Sequence, residues 1–411
     1  MKQYTASNTT DSQLPKLHYN LVVAVIQALQ EIFTEQQYAD RVIERVLRSN
    51  PKWGARDRAF IAETTYDMVR AWRLLNELKN IVPPPHSFWT FFGLWWLIQG
   101  KSLPSWEEFQ GWPPGAFAAR LAELRQVRKI RESIPDWLDK LGETEFKEEW
   151  EPLLNALNQK ADVVIRANTL KISQAELAQR LHLDHIDTRP VGTDGLVLLQ
   201  RRNLFTHPDF KEGLFELQDA ASQQVAPALD VKPGMRVIDA CAGAGGKSLH
   251  LAALMNNQGT LIALDKEEWK LQELKKRARR AGVHIVNARV INNNKVIKRL
   301  YDSADRVLLD VPCSGLGVLR RNPDTKWKLN PTIIQQLQIT QQTILQNYAR
   351  LCKKGGKLVY ATCSILPSEN YNQIQNFIDN CEGGFELIAE KNLLPHKDGF
   401  DGFYIAVMKR T

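Results

Sequence analysis

The sequence predicts an α/β protein whose C-terminal half is a doubly wound domain, preceded by a small α+β module and an all-helical region. Three observations predict this order. Apolar residues recur at helical spacing between residues 20 and 80, and strand and helix patterns alternate between 162 and 200. From about residue 226 onward, short apolar strands alternate with longer amphipathic helices, which is typical of a parallel sheet between two helical layers.

Residues 16–150 are predicted to form a helical domain with a linker, after a polar tail at 1–15 that we expect to be disordered. One helix carries an apolar stripe formed by Ala39, Val42, Ile43, Val46 and Leu47. Between two proline clusters at 82–86 and 112–115, residues 88–96 are rich in Trp and Phe. Burial against neighbouring helices is favoured for these aromatic residues over a platform for base stacking.

Residues 151–225 are predicted to form the small α+β module. Apolar strand patterns lie at 162–170 and 195–199. Between them, a helix begins at a capping box formed by Ser173 and Glu176.

Residues 226–411 are predicted to form the doubly wound domain. Its strands are "MRVIDACA", "GTLIALD", "HIVNARV", "DRVLLDV", "KLVYATC" and "FYIAVMK", with helices near 247–256, 266–281, 331–351 and 368–380. Ligands of such domains bind beyond the carboxyl ends of the strands, so we expect the chemistry there.

The first of these strands leads into a glycine-rich turn before a helix. Gly243, Gly245 and Gly246 allow the backbone to approach a ligand closely. The same turn nearly matches a phosphate-binding loop, but Cys241 occupies the position of its first glycine, so an ATPase is a weaker alternative.

The second strand ends in Asp265, twenty residues beyond Gly245, where doubly wound domains place a carboxylate that binds ribose hydroxyls. A nucleoside-bearing cofactor is therefore favoured over a triphosphate. The alternative is that Asp265 only caps the helix that follows.

Two cysteines follow the fourth and fifth strands. Asp310 and Cys313 lie three residues apart after one strand and Cys363 ends the next, and each cysteine precedes a serine. Because neighbouring parallel strands end at one edge, we expect both thiols and Asp310 to share a pocket with Asp265. A thiolate that adds to carbon 6 of a cytosine makes carbon 5 nucleophilic, so this set suits alkylation of a pyrimidine by a sulfonium cofactor.

Composition favours a polyanionic partner, because 54 Lys and Arg residues outnumber 46 Asp and Glu residues for a net charge of +8. The five cysteines are odd in number and contain no C-x-x-C pair, which argues against disulfides and a zinc site. No leader or membrane-spanning stretch is apparent, so we expect a cytoplasmic protein without a membrane association, and nothing requires a protein partner.

Four segments resemble the signature segments of the RsmB/Sun (Fmu) family of RNA cytosine-5 methyltransferases: "DACAGAGGKS", "ALDK", "DRVLLDVPCSGLGVLRRNPDTKW" and "VYATCSILPSEN". Upstream, "YADRVIERVLRSN" and "GARDRAFIAETTYDMVR" resemble its NusB-like RNA-binding domain, and "IRANTLKIS" and "FELQDAASQQVAPAL" resemble its linking module. The resemblance implies a Rossmann-like methyltransferase domain that uses S-adenosylmethionine and modifies RNA, with small-subunit ribosomal RNA favoured.

By resemblance, Cys363 is the nucleophile, Cys313 assists release of the product, and Asp310 contacts both cytosine and cofactor. The cofactor would be held by Asp265, Asn292 and the loop of Cys241, Ala242, Gly243, Ala244, Gly245, Gly246 and Lys247. Two positions depart from the family: Ala244 replaces a usual proline, and "VINNNK" replaces a usual acidic residue after the third strand, so Asn292 is the choice for the adenine contact.

RNA is expected to meet the mouth through Arg320 and Arg321, which follow Cys313 and would bind phosphates. The helix at 266–281 is expected to expose Lys275, Lys276, Arg277, Arg279 and Arg280. Three alternatives remain: a DNA cytosine methyltransferase that attacks with Cys313, a non-catalytic RNA-binding ribosome-assembly factor, and methylation of another RNA such as tRNA.

Overall fold

The computed structural model describes residues 17–112, 117–381 and 384–411. The tail predicted at 1–15 and most of the second proline cluster lie outside the described residues. The chain forms two compact units, one ending at Ser133 and the other covering Ile134–Thr411. Across the residues that are described, no helix combines the length and the hydropathy that crossing a membrane requires.

The described part of the first unit contains helices and no strand. Its α-helices are α1 (Tyr19–Phe33), α2 (Ala39–Ser49), α3 (Ala55–Arg70), α4 (Trp72–Leu78), α5 (Phe88–Ile98), α6 (Phe117–Arg125) and α7 (Arg128–Arg131). The stripe predicted on α2 is buried at Ala39, Val42, Ile43 and Val46. In α5, Phe91, Phe92, Trp95 and Trp96 are buried too, which confirms that packing, and not an open stacking platform, uses these aromatic residues.

The second unit begins with two helices and a small antiparallel sheet. Its elements are α8 (Asp136–Phe146), α9 (Trp150–Leu157), β1 (Val164–Ala167), α10 (Gln174–Leu183), β2 (Thr188–Val191), β3 (Gly195–Leu198), α11 (Pro208–Lys211) and β4 (Phe215–Leu217), with the strand order β2-β3-β1-β4. Ser173 and Glu176 form the predicted capping box of α10. The short strands β2 and β4 were not predicted, because neither has an apolar alternation long enough to stand out.

Helix α8, which the sequence analysis placed in the helical region, packs within the second unit together with α9, most of which was placed in the α+β module. Trp150 and Leu154 lie in one buried cluster with Leu316 and Leu366, which follow the two cysteines of interest. These helices therefore support the loops that carry the thiols.

A seven-stranded sheet forms the rest of the second unit. Its elements are α12 (Val225–Ala228), β5 (Arg236–Asp239), α13 (Gly246–Leu254), β6 (Thr260–Asp265), α14 (Glu268–Ala281), β7 (Val286–Val290), α15 (Asn294–Lys298), β8 (Ala304–Asp310), α16 (Thr325–Lys328), α17 (Pro331–Tyr348), β9 (Cys352–Thr362), α18 (Tyr371–Asn380), β10 (Phe385–Leu393), α19 (Pro395–Asp398) and β11 (Phe403–Arg410). The six predicted strands are confirmed. Strand β10 was missed because most of its residues are exposed at the sheet edge.

The strand order is β10-β11-β9-β8-β5-β6-β7, with β5 to β9 parallel and β11 antiparallel to both of its neighbours, β9 and β10. From the central β5 the chain proceeds outward through β6 and β7, and then crosses back to β8 on the other side. This reversal between β5 and β8 is a topological switch point, where the loops diverge and leave a crevice for a ligand. The predicted doubly wound fold is confirmed, and its crevice brings together the carboxyl ends of β5, β6, β8 and β9.

Candidate active site

The two thiols predicted to share a pocket lie in contact. Strands β8 and β9 are parallel, with Asp310 opposite Ala361, so their loops leave the same edge of the sheet. The Sγ atoms of Cys313 and Cys363 are 3.4 Å apart, and both residues are partly buried. Parallel pairing thus converts a separation of 50 residues in sequence into contact.

The two loops have the same local construction, Cys-Ser-x-Leu. Ser314 Oγ accepts a hydrogen bond from the Leu316 backbone N–H, and Ser364 Oγ accepts one from Leu366. Both leucines are fully buried. The Gly317 N–H also donates to the Cys363 carbonyl, and a Cβ at Gly317 would lie 2.7 Å from that oxygen, so only glycine allows this approach.

Glu369 is a site residue that the sequence analysis did not identify. Its carboxylate is fully buried and accepts hydrogen bonds from Ser314 and Ser364, the two residues that follow the cysteines. The repeated Cys-Ser pair was the only available signal for it, since a buried carboxylate between two serines leaves no periodic pattern.

Lys247 and Asp310 form an ion pair beside the thiols. Lys247 Nζ donates to Asp310 Oδ2 at 2.6 Å and lies 5.2 Å from the centroid of the Phe403 ring. Burial opposes the charged form of Lys247, but the Asp310 carboxylate and the nearby Cys363 outweigh it and raise the pKa of the amine. Ser248 is buried and donates to Asp239, and Lys247 is paired with Asp310. Neither Lys247 nor Ser248 is therefore arranged to bind phosphates, which argues against the ATPase alternative.

The surroundings of the cysteines oppose ionisation at two positions. The hydrogen bond with Cys363, together with burial, raises the pKa of the Cys313 thiol well above its usual range. Burial likewise raises the pKa of Cys241. Cys313 therefore keeps its proton at neutral pH and has a proton to donate to Cys363, and Cys241 contributes to the cavity wall as an uncharged group.

The glycine loop is fixed to Asp265. The Gly243 N–H donates to Asp265 Oδ2 at 2.8 Å, and the Glu267 N–H donates to Oδ1 at 2.9 Å. Asp265 thus stabilises the start of α14 without being its N-cap, which is Glu267. Gly243 has φ +52° and open space where a Cβ would be, so a ligand can approach its backbone.

A cavity of about 310 Å³ opens beside the glycine loop and the end of β8. Four predicted residues line it, namely Cys241, Gly243, Asp265 and Asp310. Cys313 and Cys363 are not among its lining residues, so the pocket expected to hold both thiols together with Asp265 is shared with Asp265 by Asp310 alone of the three. Asn292 does not line it but belongs to an adjoining cavity of about 400 Å³ that shares Lys266, Ile291 and Tyr348 with the first. Helix α17 supplies a wall of both through Thr340, Ile344 and Tyr348, a contribution that the sequence analysis missed.

The other residues of the glycine loop do not line the cavity but fix the loop that does. Ala242 is buried, and Gly245, at φ +88°, packs against Leu274 so closely that a Cβ would lie 2.6 Å from its Cγ. The Ala244 carbonyl accepts a hydrogen bond from Arg277 Nη1 at 2.9 Å, and the Gly246 carbonyl accepts one from Arg166 Nη1 at 3.1 Å. An arginine thus holds the loop at Ala244, where the resemblance leads one to expect proline.

The expectation that α14 exposes its whole basic face is wrong at Arg277 and Arg280, which turn toward the small module. Both guanidinium groups donate to the carboxylate of Glu216, which is buried in β4. Arg166 is fully buried beside them, and burial lowers its pKa to about 10, so it stays charged at neutral pH. The small module therefore takes these arginines out of solvent and connects them to the glycine loop.

The expectation that Arg321 binds RNA phosphates is not met, because its guanidinium group is already paired with two carboxylates. It pairs with Asp219 at 2.7 Å and with Asp401 at 2.5 Å. Arg320 donates to the backbone carbonyls of Gly399 and Lys160. Both arginines fasten the segment after Cys313 to neighbouring loops.

Comparison with known proteins assigns the family. A "Probable ribosomal RNA small subunit methyltransferase B" from Synechocystis is 33% identical over 93% of this chain and 98% of its own length. The family described as 16S rRNA methyltransferase RsmB/F matches residues 226–409. The chain belongs to the RsmB/F methyltransferase family.

Two further matches support this assignment to the RsmB/F family. A "Ribosomal RNA small subunit methyltransferase B" from Yersinia enterocolitica is 34% identical over 94% of this chain and 98% of its own. A methyltransferase homolog from Pyrococcus horikoshii has a structure that matches with a TM-score of 0.62 and 28% identity, over 69% of this chain and 98% of that chain. Residues 134–204 match the ferredoxin-like domain of RsmF/B-like methyltransferases, which agrees with the four-stranded antiparallel sheet.

Proposed function

We propose that this protein transfers a methyl group from S-adenosylmethionine to carbon 5 of a cytosine in RNA, through a covalent bond between Cys363 and carbon 6. The observation that carries the proposal is the contact of the Cys313 and Cys363 sulfurs at the switch-point crevice. The Lys247–Asp310 pair lies beside them, and Asp310 also lines the neighbouring cavity.

The residues fit S-adenosylmethionine. Asp265 keeps lone pairs for ribose hydroxyls beyond its two backbone hydrogen bonds, Gly243 admits a ligand to its backbone, and Asn292 offers an amide to adenine in the adjoining cavity. The bound cofactor supplies an electrophilic methyl group. The chain's own task is to align the base beside that group and to manage protons.

Cys363 Sγ adds to carbon 6, and a proton from the Lys247–Asp310 pair reaches ring nitrogen 3, which makes carbon 5 nucleophilic. After methylation, carbon 5 loses its proton to water, and the bond between Sγ and carbon 6 breaks, which returns the electron pair to Cys363 as a thiolate. Ring nitrogen 3 returns its proton to the Lys247–Asp310 pair. Cys313 keeps its own proton and donates a hydrogen bond to the departing thiolate. This division of labour assigns attack to Cys363 and release to Cys313.

The substrate class follows from the relatives. Those named above are ribosomal RNA small subunit methyltransferases, which favours small-subunit ribosomal RNA as the substrate here. We further propose that the helical N-terminal region, which resembles the NusB-like domain, binds RNA. The net charge of +8 supports a polyanionic partner. The target base must be unpaired or flipped out to reach the thiols.

The experiment compares Cys313→Ala and Cys363→Ala with small-subunit RNA and S-adenosylmethionine. We expect Cys363→Ala to form no covalent protein–RNA adduct, because it lacks the attacking sulfur. We expect Cys313→Ala to accumulate a stable adduct, because release is impaired while attack is not. Denaturing gels with labelled RNA measure both results, and bisulfite mapping locates the methylated cytosine.

An adduct that accumulates in Cys363→Ala and is absent from Cys313→Ala would overturn the assignment and favour the mode of attack of DNA cytosine methyltransferases. Cys381→Ala is the matched control. This residue is partly buried after α18, and its thiol donates to the Ile378 carbonyl, away from the two thiol loops, so the variant should methylate as the natural protein does.

A further inference from the structure

The two loops that carry the thiols meet on the carboxylate of Glu369. Ser314 donates to it through its backbone N–H at 2.8 Å and through Oγ at 2.5 Å, and Ser364 Oγ donates at 2.5 Å. Gln341 Nε2, from α17, adds a fourth hydrogen bond at 3.0 Å. The two carboxylate oxygens therefore receive four hydrogen bonds although the group is fully buried.

Further hydrogen bonds fix the backbone on both sides of this carboxylate. Gln341 Nε2 also donates to the carbonyl of Pro312, directly before Cys313. Tyr360, near the end of β9, donates through its hydroxyl to the Glu369 carbonyl, and Asn370 Nδ2 donates to the Ser364 carbonyl. The backbone around each cysteine is therefore fixed by hydrogen bonds that centre on Glu369 and its neighbours.

We infer that Glu369 is a positioning residue, which holds the two Cys-Ser-x-Leu loops against each other so that both sulfurs face the same base at contact distance. Each cysteine is the immediate neighbour of a serine that donates to Glu369, so one peptide unit separates the restraint from the thiol. The role in catalysis rests on the proposed function, whereas the restraint on the thiols does not.

A purely structural role for Glu369 makes a different prediction. Loss of a buried hydrogen-bonded carboxylate then lowers stability but leaves the thiols of the folded molecules unchanged. A positioning role requires that the folded variant itself shows altered thiol geometry. The decisive readout is therefore the reaction between the two sulfurs, measured on protein that remains folded.

The test uses Glu369→Gln in the full chain. The amide has the same shape, but it accepts hydrogen bonds at one atom only. Its nitrogen therefore faces either the two serine hydroxyls, which share Oε2, or the Ser314 N–H and Gln341 Nε2, which share Oε1, and the donors that it faces lose their acceptor. We expect the thiol-specific oxidant diamide to close the Cys313–Cys363 disulfide about tenfold more slowly, because the effective concentration of one sulfur near the other falls. Mass spectrometry of digested protein follows this reaction without RNA or cofactor.

Catalysis gives the second readout. We expect kcat for RNA methylation to fall about a hundredfold while KM for RNA and the affinity for S-adenosylmethionine stay within about threefold, since the misplaced groups act on the reacting base. The matched control is Asp209→Asn, which removes the charge of another buried carboxylate, one that pairs with Arg180 in the small module. It should leave both the disulfide rate and kcat unchanged.

A folded Glu369→Gln variant that forms the disulfide at the natural rate overturns the inference. If the natural protein methylates no RNA while Glu369→Gln still slows disulfide closure, the proposed function fails and the positioning role stands. If Glu369→Gln does not fold, Ser314→Ala and Ser364→Ala replace it. Slower disulfide closure in either folded variant then supports the shared anchor, and the natural rate in both contradicts it. Additivity is not the criterion, because the two hydroxyls also contact each other at 3.1 Å and would be coupled without Glu369.

Discussion

The two halves of the crevice each contain a buried carboxylate, and the two carboxylates are supported differently. The thiol half comprises 313–316 and 363–366, where Glu369 receives four hydrogen bonds. The cofactor half comprises 241–247 and Asp265, and behind it Asp239, at the end of β5, receives a side-chain hydrogen bond from Ser248 at 2.6 Å. Burial raises the pKa of Asp239 to about 7. Glu369 is thus held by four donors, whereas burial disfavours the charged form of Asp239.

The halves also differ in the origin of their restraints. The hydrogen bonds of the thiol half come from Gln341, Tyr360 and Asn370, all within the seven-stranded domain. The glycine loop of the cofactor half is held by Arg166 and by Arg277, which pairs with Glu216 of the small module. The comparison therefore predicts that the module affects the cofactor half and not the thiol half.

The largest effect is expected where the halves join. Asp310→Asn removes the charge that pairs with Lys247, the one ion pair described between the glycine-loop helix and the end of β8. We expect single-turnover methylation to slow about a thousandfold, because proton transfer to the base loses its charged pair. The matched control is Asp305→Asn, near the other end of β8, which should methylate normally. Slowing of less than about tenfold in Asp310→Asn would mean that proton transfer does not depend on this pair.

The next largest effect is expected from a substitution that weakens the restraints on the cofactor half and leaves those on the thiol half unchanged. Glu216→Ala leaves Arg277 and Arg280 without their buried anion, so the free energy of unfolding should fall by about 3 kcal/mol, and the affinity for S-adenosylmethionine should fall as the loop loosens. Urea unfolding and calorimetry measure these changes. The rate of disulfide closure between Cys313 and Cys363 should not change.

Glu212→Ala is the matched control for Glu216→Ala, because its carboxylate is 57% exposed and its ion pair with Arg180 spans 3.4 Å. It should change the free energy of unfolding by less than about 1 kcal/mol. Equal effects of the two substitutions on the free energy, or a change in the disulfide rate in Glu216→Ala, would contradict the separation of the halves.

The sequence was sufficient to predict the fold order, the six strands and the meeting of Cys313 with Cys363. These features follow from local alternation and from the rule that parallel strands end at one edge. The anchor Glu369 was beyond reach because its partner Ser314 lies 55 residues away. The prediction that α14 exposes its whole basic face was wrong for a related reason. Helical periodicity identifies the polar side of a helix, but the Glu216 carboxylate that binds Arg277 is 61 residues away in sequence.

A pH-dependent effect tests the titration of Asp239. Its folded-state pKa of about 7 exceeds the unfolded value of about 4, so the folded state binds the extra proton more tightly. The free energy of unfolding contributed by this group must therefore fall as pH rises from about 4 to about 7. We expect Asp239→Asn, compared with the natural protein, to gain stability on the order of 4 kcal/mol at pH 8, since three pKa units correspond to about that free energy, and to lose that advantage at pH 4.

Urea unfolding across this pH range measures the difference, and Asp305→Asn provides a control of opposite sign. Although partial burial opposes it, hydrogen bonds from Lys353 and from the Arg236 N–H lower the pKa of Asp305, so the stability that this group contributes is lost as pH falls. If both substitutions gave the same slope with pH, the charged form of Asp239 would have to be stabilised in the folded state by hydrogen-bond donors. The cofactor half would then be anchored as firmly as the thiol half, and the contrast between the two carboxylates would reduce to the contribution of the module.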